Sequence, residues 1–400
     1  MHPAKRILAS TSQKLAGKTI VLGITGSIAA VKTVELAREL IRHGAEVRPV
    51  MTRGATEILH PNALWFATGI PPVTALDGSM DYLAMVGTGG RAHLLLVAPC
   101  TANTISKIAT GVDDSTVTTY ATNALGSGVP ILIAPAAHES MMANPIVAEN
   151  LGKLRGLGVE VVEPKLEEEK AKLADIDEIV ARVIRKLGPA DLAGKRVLVI
   201  AGATMEPIDD IRVITNRSSG ATGIEIAKAG FEHGGDVELW LGAHRDPAPP
   251  WIPQRSFETT EDLERMAEGA TADVYVVPAA ISDFAPRKRS GKVASKQGAL
   301  TLELVPTPKI IEKLRKRSDA ILVGFKAESG LSKEELTSRA MDRLKEAGLD
   351  FIVANDVRRV SGDRTAIVIL DRQGRAQEFE GPKSLAAEAI WRAVLHGVPG

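Results

Sequence analysis

Residues 17–33 read GKTIVLGITGSIAAVKT, and they set the fold class of this chain. The run TIVLGI is short and apolar throughout, whereas a strand with one face in water alternates apolar and polar residues. Such a run is typical of a strand buried on both faces in a parallel, helix-covered sheet. The helical stretch SIAAVKTVELARELIRHG (residues 27–44) overlaps it, so the segment predicts a strand, a tight turn and a helix.

The same pattern begins again near the middle of the chain. GKRVLVIAGAT (residues 194–204) repeats the opening strand and turn, with Gly17 and Gly194 separated by 194 − 17 = 177 residues. Further apolar runs follow in each half: EVRPVMT, LLLVAP, VPILIAP and VEVVEP, then DVELWLG, DVYVVPAA, AILVGFKAE, FIVAND and TAIVILD. The sequence therefore predicts an α/β protein of two tandem Rossmann-like three-layer domains, residues 1–190 and 191–400, with a flavodoxin-like strand order in the first.

Composition and charge exclude several classes of protein. The 400 residues hold 49 Lys+Arg and 49 Asp+Glu, so no polyanion-binding surface is indicated. A single cysteine, Cys100, excludes an internal disulfide framework and a cysteine-based zinc cluster. The N-terminal residues lack the apolar core of a signal peptide, and no apolar run approaches the roughly 20 residues that span a bilayer. We expect a cytoplasmic protein that binds neither nucleic acid nor a membrane.

Hydroxyl and amide groups follow several predicted strands of the first half. Gly26, Ser27 and Ile28 could hold a phosphate at the start of a helix, although a glycine that only makes a tight turn explains this motif equally well. Ligands of open α/β sheets bind outside the carboxyl ends of the strands. The chain offers four more candidates at such ends: Thr52, Thr101, Asn103 and Ser106.

Longer motifs resemble a known family. GSIAA, VMTRGA, PCTANTISKIATGVDD and PAAHESMM are similar to the flavin-containing cysteine decarboxylases. AGATMEPIDDIRVITNRSSGATG, AAISDF, GFKAE and VAND are similar to the ligase that precedes that decarboxylase in coenzyme A biosynthesis. Nearly the whole chain thus resembles the family in which phosphopantothenoylcysteine decarboxylase is fused to phosphopantothenate–cysteine ligase, in its archaeal form.

The resemblance implies FMN in the first half, held by Gly26, Ser27, Ile28, Thr52, Thr101, Asn103 and Ser106. It also implies oxidation of the substrate thiol to a thioaldehyde, which eases loss of the carboxylate. The family's histidine is matched here by Tyr82, a poorer neutral-pH base because a phenol has a pKa of about 10. His138 matches the residue that binds the substrate carboxylate.

Other residues of the first half have competing interpretations. His93 is either a chemical group or, as we favour, a strand-end residue satisfied by the backbone. The family's mobile flap carries a cysteine, whereas VEPKLEEEKAKLAD (residues 162–175) has none, and we interpret its charged run as the solvated start of a helix. Cys100 is interpreted as a small buried filler and not as a redox thiol.

For the second half the resemblance implies CTP, an acyl-cytidylate intermediate and Mg²⁺. Asn216 is the residue that handles the intermediate, and Asp283 is a nucleotide or metal ligand, with a helix-capping role as its alternative. Arg343 stands where the family usually has lysine. The remaining positions that match the nucleotide site are Pro278, Ala279, Lys292, Pro308, Lys309, Ile310, Ile311 and Phe325.

Three functions are compatible with these motifs. The first is a bifunctional enzyme with both halves active. The second is an active ligase whose first half, altered at Tyr82, is mainly an oligomeric flavin-binding scaffold. The third is a nucleotide- or flavin-binding regulatory module. The resemblance also implies a homo-oligomer, with a trimeric flavin half and a dimeric ligase half.

Overall fold

Two compact units, Met1–Gly188 and Pro189–Gly400, make up the chain. The structure is a computed structural model that describes residues 2–167, 170–292 and 299–398. Each unit has its own sheet, with an apolar cluster on either face. Both are therefore three-layer α/β units, as the sequence predicts.

The first unit is built on a five-stranded parallel sheet in the order β2-β1-β3-β4-β6. This is the predicted flavodoxin-like order. Three short strands, β5, β8 and β7, form a separate antiparallel sheet. The strands are β1 (Thr19–Ile24), β2 (Glu46–Met51), β3 (Leu94–Cys100), β4 (Ile131–Pro135), β5 (Ala137–His138), β6 (Glu160–Val161), β7 (Lys165–Glu167) and β8 (Lys170–Lys172).

Helices cover both faces of this sheet. Their buried apolar side chains recur every three or four residues, as in Leu36, Ala37, Leu40 and Ile41, so that each helix turns one stripe toward the strands. The helices are α1 (Pro3–Arg6), α2 (Thr33–Arg42), α3 (Arg53–Thr56), α4 (Pro61–Thr68), α5 (Asp81–Val86), α6 (Ala102–Thr110), α7 (Thr116–Ser127), α8 (Glu139–Met142), α9 (Pro145–Gly156) and α10 (Ile176–Leu187), with a 3₁₀ helix at Ile28–Lys32.

The second unit has an eight-stranded sheet in the order β13-β12-β9-β14-β17-β18-β19-β20. Pairing is parallel from β13 to β18 and antiparallel beyond. Two antiparallel ribbons, β10–β11 and β15–β16, are separate from it. The strands are β9 (Arg196–Ala201), β10 (Met205–Pro207), β11 (Val213–Thr215), β12 (Asp236–Leu241), β13 (Gln254–Ser256), β14 (Val274–Val277), β15 (Phe284–Pro286), β16 (Leu304–Pro306), β17 (Ile321–Glu328), β18 (Phe351–Asp356), β19 (Arg364–Asp371) and β20 (Ala376–Pro382).

The helices of the second unit are divided between the two faces of its sheet. The first and last of them contribute to one apolar cluster and the other three to the opposite cluster. They are α11 (Ala221–Glu232), α12 (Thr260–Glu268), α13 (Ile310–Arg317), α14 (Lys333–Glu346) and α15 (Lys383–His396), with a 3₁₀ helix at Val357–Arg359.

The outer strands of the large sheet are polar. β13 has three residues, all exposed. β20 alternates exposed and partly buried positions, and two of its exposed glutamates form ion pairs, Glu378 with Lys333 and Glu380 with Arg359.

Close packing of α11 on β9 requires Gly223. A Cβ at this position would overlap the Cβ of Ala201 and lie 3.0 Å from Cγ of Pro278. We expect Gly223→Ala to destabilise the second unit by about 1–3 kcal/mol, because the helix has to shift outward. Urea unfolding measures the effect. Gly152→Ala is the control, since Gly152 lies within α9 with open space around it, and it should be neutral or stabilising.

His233 joins the end of α11 to α15. Its Nε2 lies 2.9 Å from an oxygen of Glu388, and its Nδ1 lies 3.3 Å from one of Asp191. Burial by itself lowers the pKa of His233, but the hydrogen bonds and charges of Glu388 and Asp191 outweigh burial and raise it.

The raised pKa predicts a pH-dependent stability. A histidine whose pKa is higher in the folded chain stabilises it fully below the unfolded pKa, near 6.5, and loses this contribution as pH rises through the folded value. We expect the difference in unfolding free energy between wild type and His233→Asn to be largest near pH 6 and to shrink toward pH 9. Denaturant titrations at several pH values measure it. A difference that grows with pH would contradict this prediction.

Candidate functional sites

Three loops at the carboxyl edge of the first sheet carry the predicted hydroxyls. Ser27 Oγ accepts the N–H of Ala29 at 3.4 Å, after β1. Thr52 and Thr101 similarly cap the helices that follow β2 and β3, accepting at 3.2 and 3.3 Å. Because β1 lies between β2 and β3, the structure brings these three loops side by side.

The loops after β1 and β2 approach closely through two glycines. A Cβ on Gly26 would lie 3.1 Å from the carbonyl carbon of Gly54, so a larger residue at Gly26 would push the loops apart. Gly26, Ile28 and Asn103 are exposed and Ser106 is partly buried. All the predicted flavin-binding residues thus follow β1, β2 or β3 beyond the carboxyl edge of the sheet, and several are open to solvent.

Thr25 also lies at this edge, although it was not among the site residues predicted from the motifs. Its buried hydroxyl donates to the carbonyl of Pro99 at 2.7 Å and accepts the N–H of Thr101 at 3.0 Å. It therefore fixes the ends of β1 and β3 relative to each other. Its position directly before Gly26 was the available signal.

Tyr82 lies on α5, and its partly buried ring packs against the apolar cluster of the first unit that includes Met85 and Tyr120. The ring centroid is 6.4 Å from that of Tyr120 on α7, in an edge contact. The buried Tyr120 hydroxyl donates to Oδ2 of Asp81 at 2.7 Å. Burial, together with that hydrogen bond and the charge of Asp81, raises the pKa of Tyr120. The structure thus adds Asp81 and Tyr120 to the neighbourhood of Tyr82.

His138 is exposed and lies on β5. Its backbone pairs with that of Lys170 on β8, and β8 pairs with β7. The interpretation of residues 162–175 as a helix start is therefore wrong, because the described parts of this segment include the antiparallel strands β7 and β8, a hairpin that pairs with the strand of His138. Glu168 and Glu169, also part of that run, lie outside the described residues.

His93 and Cys100 have the structural roles that we favoured. His93 lies just before the amino end of β3, where its Nδ1 accepts the N–H of Thr19 at 3.1 Å. This is the edge opposite the loops described above. Cys100 is fully buried, and burial raises the pKa of its thiol, so it is an unreactive core residue.

Two loops of the second unit bring Asn216 and Asp283 near one strand end. Asn216 is exposed, and its Nδ2 donates to the carbonyl of Ala280 at 3.2 Å. Asp283 lies three residues after Ala280 in the sequence and forms a 2.5 Å ion pair with Lys309. Because Asp283 directly precedes the strand β15 and its carboxylate pairs with a lysine, the helix-capping interpretation of Asp283 is wrong. Asn216, Asp283 and Lys309 therefore share a neighbourhood beyond β14.

The amino end of α11 lies at the same edge. Gly220 precedes the helix with φ +78°, a conformation that favours glycine, and no side chain caps the helix at this residue. The hydroxyls of Ser218 and Ser219 accept the N–H groups of Gly220 and Ala221, both at 3.3 Å. The loop thus presents amide and hydroxyl groups suited to an anion.

The other predicted nucleotide residues differ in what they can contact. Ile310 is only 1% exposed and packs in the core, so its place in the nucleotide site stays a prediction. Arg343 lies on α14 and pairs with Glu312 at 3.2 Å. Lys292 is exposed, whereas the neighbouring Lys296 lies outside the described residues. Exposed or partly buried positions are held by Pro278, Ala279, Pro308, Ile311 and Phe325.

Two searches of the described residues were negative. Within residues 2–167, 170–292 and 299–398, no group of three or more His, Cys, Asp or Glu side chains is placed to hold a metal ion. Across the same ranges, no helix has the length and apolar character needed to cross a bilayer.

Comparison with known proteins identifies both units. Residues 8–188 match the flavoprotein family, and residues 192–398 match the C-terminal domain of the DNA/pantothenate metabolism flavoproteins. The coenzyme A biosynthesis bifunctional protein CoaBC of Thermococcus kodakarensis is 48% identical over 98% of this chain and 98% of its own length. The chain belongs to the CoaBC family. The Methanocaldococcus jannaschii member is 36% identical over 98% of this chain and 96% of its own.

Family membership gives the overall activity. As a CoaBC protein of the archaeal form, the chain is a bifunctional enzyme of coenzyme A biosynthesis, a flavoprotein decarboxylase followed by a ligase. The scaffold alternative is not favoured. A solved flavoprotein from Streptococcus pneumoniae is 25% identical and covers 50% of this chain and 98% of its own, with a TM-score of 0.46.

Proposed function

We propose that the second unit joins 4'-phosphopantothenate to cysteine with CTP, through an acyl-cytidylate. The neighbourhood of Asn216 and the Asp283–Lys309 pair is the observation that carries this proposal. A carboxylate oxygen is a poor leaving group, and nucleotidyl transfer replaces it with a phosphate that departs readily. Such a transfer needs cationic and hydrogen-bonding groups around the phosphates. The Lys309 ammonium and the amide groups at the start of α11 meet that need.

Asp283 is proposed as the protein ligand of Mg²⁺. Magnesium commonly takes one or two carboxylates together with substrate phosphates, and the exposed carboxylate of Asp283 suits that mode. Asn216 is proposed to donate to the acyl-cytidylate and to orient the cysteine amine, since an amide both donates and accepts. The other nucleotide contacts proposed are Pro278, Ala279, Lys292, Pro308, Lys309, Ile310, Ile311, Phe325 and Arg343.

We propose that the first unit binds FMN at the three loops after β1, β2 and β3. The fit rests on Gly26, where the absence of a side chain lets the loops after β1 and β2 approach each other, and on the adjacent hydroxyls of Ser27, Thr52 and Thr101 at the starts of helices. Bound FMN supplies the two-electron chemistry of the decarboxylation. The chain itself has to orient the thiol, hold the carboxylate and transfer a proton. Asn103 and Ser106 on α6 complete the proposed set.

His138 is proposed to hold the substrate carboxylate and Tyr82 to transfer the proton. His138 is exposed beside the hairpin, where an anionic group can approach it. We expect Tyr82→Phe, which removes only the hydroxyl, to slow decarboxylation by about a hundredfold. Stopped-flow or steady-state carbon dioxide release measures it. Tyr82→His should keep activity, and an unchanged rate in Tyr82→Phe would remove Tyr82 from the mechanism and direct attention to Asp81.

Assembly and location are also proposed. Residues 1–190 and 191–400 are the decarboxylase and ligase domains, and the chain forms a homo-oligomer, trimeric through the first and dimeric through the second. We propose a cytoplasmic location, since the chain has a single cysteine, Cys100, and so no internal disulfide that would need an oxidising compartment. Light scattering tests the assembly, and a monomeric mass would overturn it.

One experiment tests both halves. FMN-reconstituted protein is mixed with 4'-phosphopantothenate, cysteine, CTP and Mg²⁺, and the products are identified by mass spectrometry. We expect 4'-phosphopantetheine. Phosphopantothenoylcysteine alone would locate a defect in the first unit. No product with CTP, but product with ATP, would overturn the nucleotide assignment.

A further inference from the structure

A buried group of polar side chains lies beside the strand ends of the proposed ligase site. Thr204, Thr260, Glu206 and Ser282 are 0%, 1%, 3% and 6% exposed. The hydroxyl and N–H of Thr260 donate to Oε1 of Glu206 at 2.6 and 3.1 Å, and the hydroxyl oxygens of Thr204 and Thr260 are 3.5 Å apart. Buried polar groups in native proteins are hydrogen bonded, so the loss of any of these contacts would leave a buried polar atom without a partner.

Thr204 forms a hydrogen bond with the residue that precedes each of the two proposed reactive residues in the sequence. Its Oγ1 accepts the N–H of Ser282 at 3.0 Å, directly before Asp283. Its carbonyl accepts the hydroxyl of Thr215 at 2.7 Å, directly before Asn216. One fully buried residue therefore connects two loops that are far apart in the sequence.

A second contact closes this arrangement. The carbonyl of Ala280 accepts Nδ2 of Asn216 at 3.2 Å and the N–H of Thr204 at 3.4 Å. The loop of Asn216, the loop of Asp283 and Thr204 are thus linked pairwise. A shift of either loop relative to the other has to break at least one of these hydrogen bonds.

We infer that Thr204 is a positioning residue of the ligase reaction, which holds the Asp283 loop with its hydroxyl and the Asn216 loop with its carbonyl. The inference rests on the roles proposed above for Asn216 and Asp283. Thr204 is fully buried, so it acts through these loops and not on substrate. Its importance follows from geometry, because a misplacement of about 1 Å can cost a hundredfold in rate.

Two variants loosen one loop each. Thr204→Val keeps the side-chain shape but removes the acceptor of the Ser282 N–H, so pyrophosphate release from CTP and 4'-phosphopantothenate, without cysteine, should fall about a hundredfold. Thr204→Ser keeps the acceptor and should restore the rate. Thr215→Val removes the donor to the Thr204 carbonyl, so pyrophosphate release should persist while cysteine consumes the acyl-cytidylate more slowly.

Further variants separate positioning from general packing. Thr365→Val removes a buried hydroxyl on β19 and should change neither half-reaction. The double variant Thr204→Val with Asp283→Asn should be no slower than Asp283→Asn alone, because Thr204 acts through that loop. Should Thr204→Val fail to fold, Thr204→Cys carries the same test, since sulfur is a weak acceptor.

The outcomes distinguish the inference from the function on which it rests. Equal losses in both half-reactions for Thr204→Val and Thr215→Val, or no restoration by serine, would overturn the positioning role. The positioning role would also be overturned if Thr204→Val kept the wild-type rate while Asp283→Asn and Asn216→Ala were both impaired. If those last two variants are fully active, the proposed ligase site is wrong, and the inference is overturned with it.

Discussion

Replacing Asn216 with alanine is expected to stop amide formation after the nucleotide has reacted. Asn216 is exposed, and its Nδ2 donates at 3.2 Å to the carbonyl of Ala280, three residues before Asp283. Removal of one such donor from a developing negative charge costs about a hundredfold to a thousandfold. Acyl-cytidylate should therefore accumulate to near one equivalent per site, with a pyrophosphate burst but little product. Rapid quench and mass spectrometry measure both species.

Gln373→Ala is the matched control for Asn216→Ala. Gln373 is an exposed residue with an amide side chain in the turn between β19 and β20. This turn follows Asp371, which pairs with Phe351, the first residue of β18. Gln373 lies at the amino edge of the parallel strands, opposite the proposed site, and its substitution should leave the rate unchanged. Rapid product formation by Asn216→Ala would exclude the residue from the second half-reaction.

Asp283→Asn is expected to impair the first half-reaction. The substitution keeps the size of the side chain but removes the charge that pairs with Lys309 and that we propose binds Mg²⁺. Magnesium prefers charged oxygen ligands, so the Mg²⁺ concentration for half-maximal rate should rise about tenfold or more. Pyrophosphate release should fall by about a hundredfold at ordinary Mg²⁺. Titration of the initial rate with Mg²⁺ at fixed CTP measures these changes.

Asp319→Asn makes the same charge change away from the site. Asp319 is exposed just before β17, at the amino edge of the sheet, and its substitution should alter neither rate nor Mg²⁺ dependence. If Asp283→Asn shows the same Mg²⁺ curve as Asp319→Asn, Asp283 is not the metal ligand.

The sheets could be predicted because their strands are apolar throughout. Runs such as LLLVAP and VYVV are buried over their whole length, and this leaves a parallel, two-sided sheet as the main possibility. The antiparallel position of β19 and β20 was not predictable from pattern, since TAIVILD is as apolar as a parallel strand. Its direction depends on the short connection that precedes it, residues 357–363, and not on its composition.

The residues that connect the loops could not be found from motifs. Thr25 and Thr204 bond to groups 74 and 78 residues away, and a single buried threonine has no local pattern that reports such a partner. The exposed, chemically distinctive side chains, such as Asn216 and Asp283, are conspicuous in the sequence. The hydrogen bonds that determine their relative placement become visible only in the folded chain.

The hairpin at β7 and β8 shows how tertiary pairing overrides local preference. Glu- and Lys-rich runs favour helix, which explains the interpretation of residues 162–175 as a helix start. In the fold, β8 instead pairs with the short strand that carries His138. Local propensity is a weak guide where a partner strand is available.

The polar borders of the eight-stranded sheet also affect how the protein behaves when it is concentrated. A free strand edge offers unpaired N–H and C=O groups to any neighbouring chain, and this is a common route to aggregation. β13 is too short to template an added strand, and an addition to β20 would have to strip water from Glu378 and Glu380. Both borders therefore disfavour growth of the sheet into fibrils, even though its central strands are among the most apolar segments of the chain.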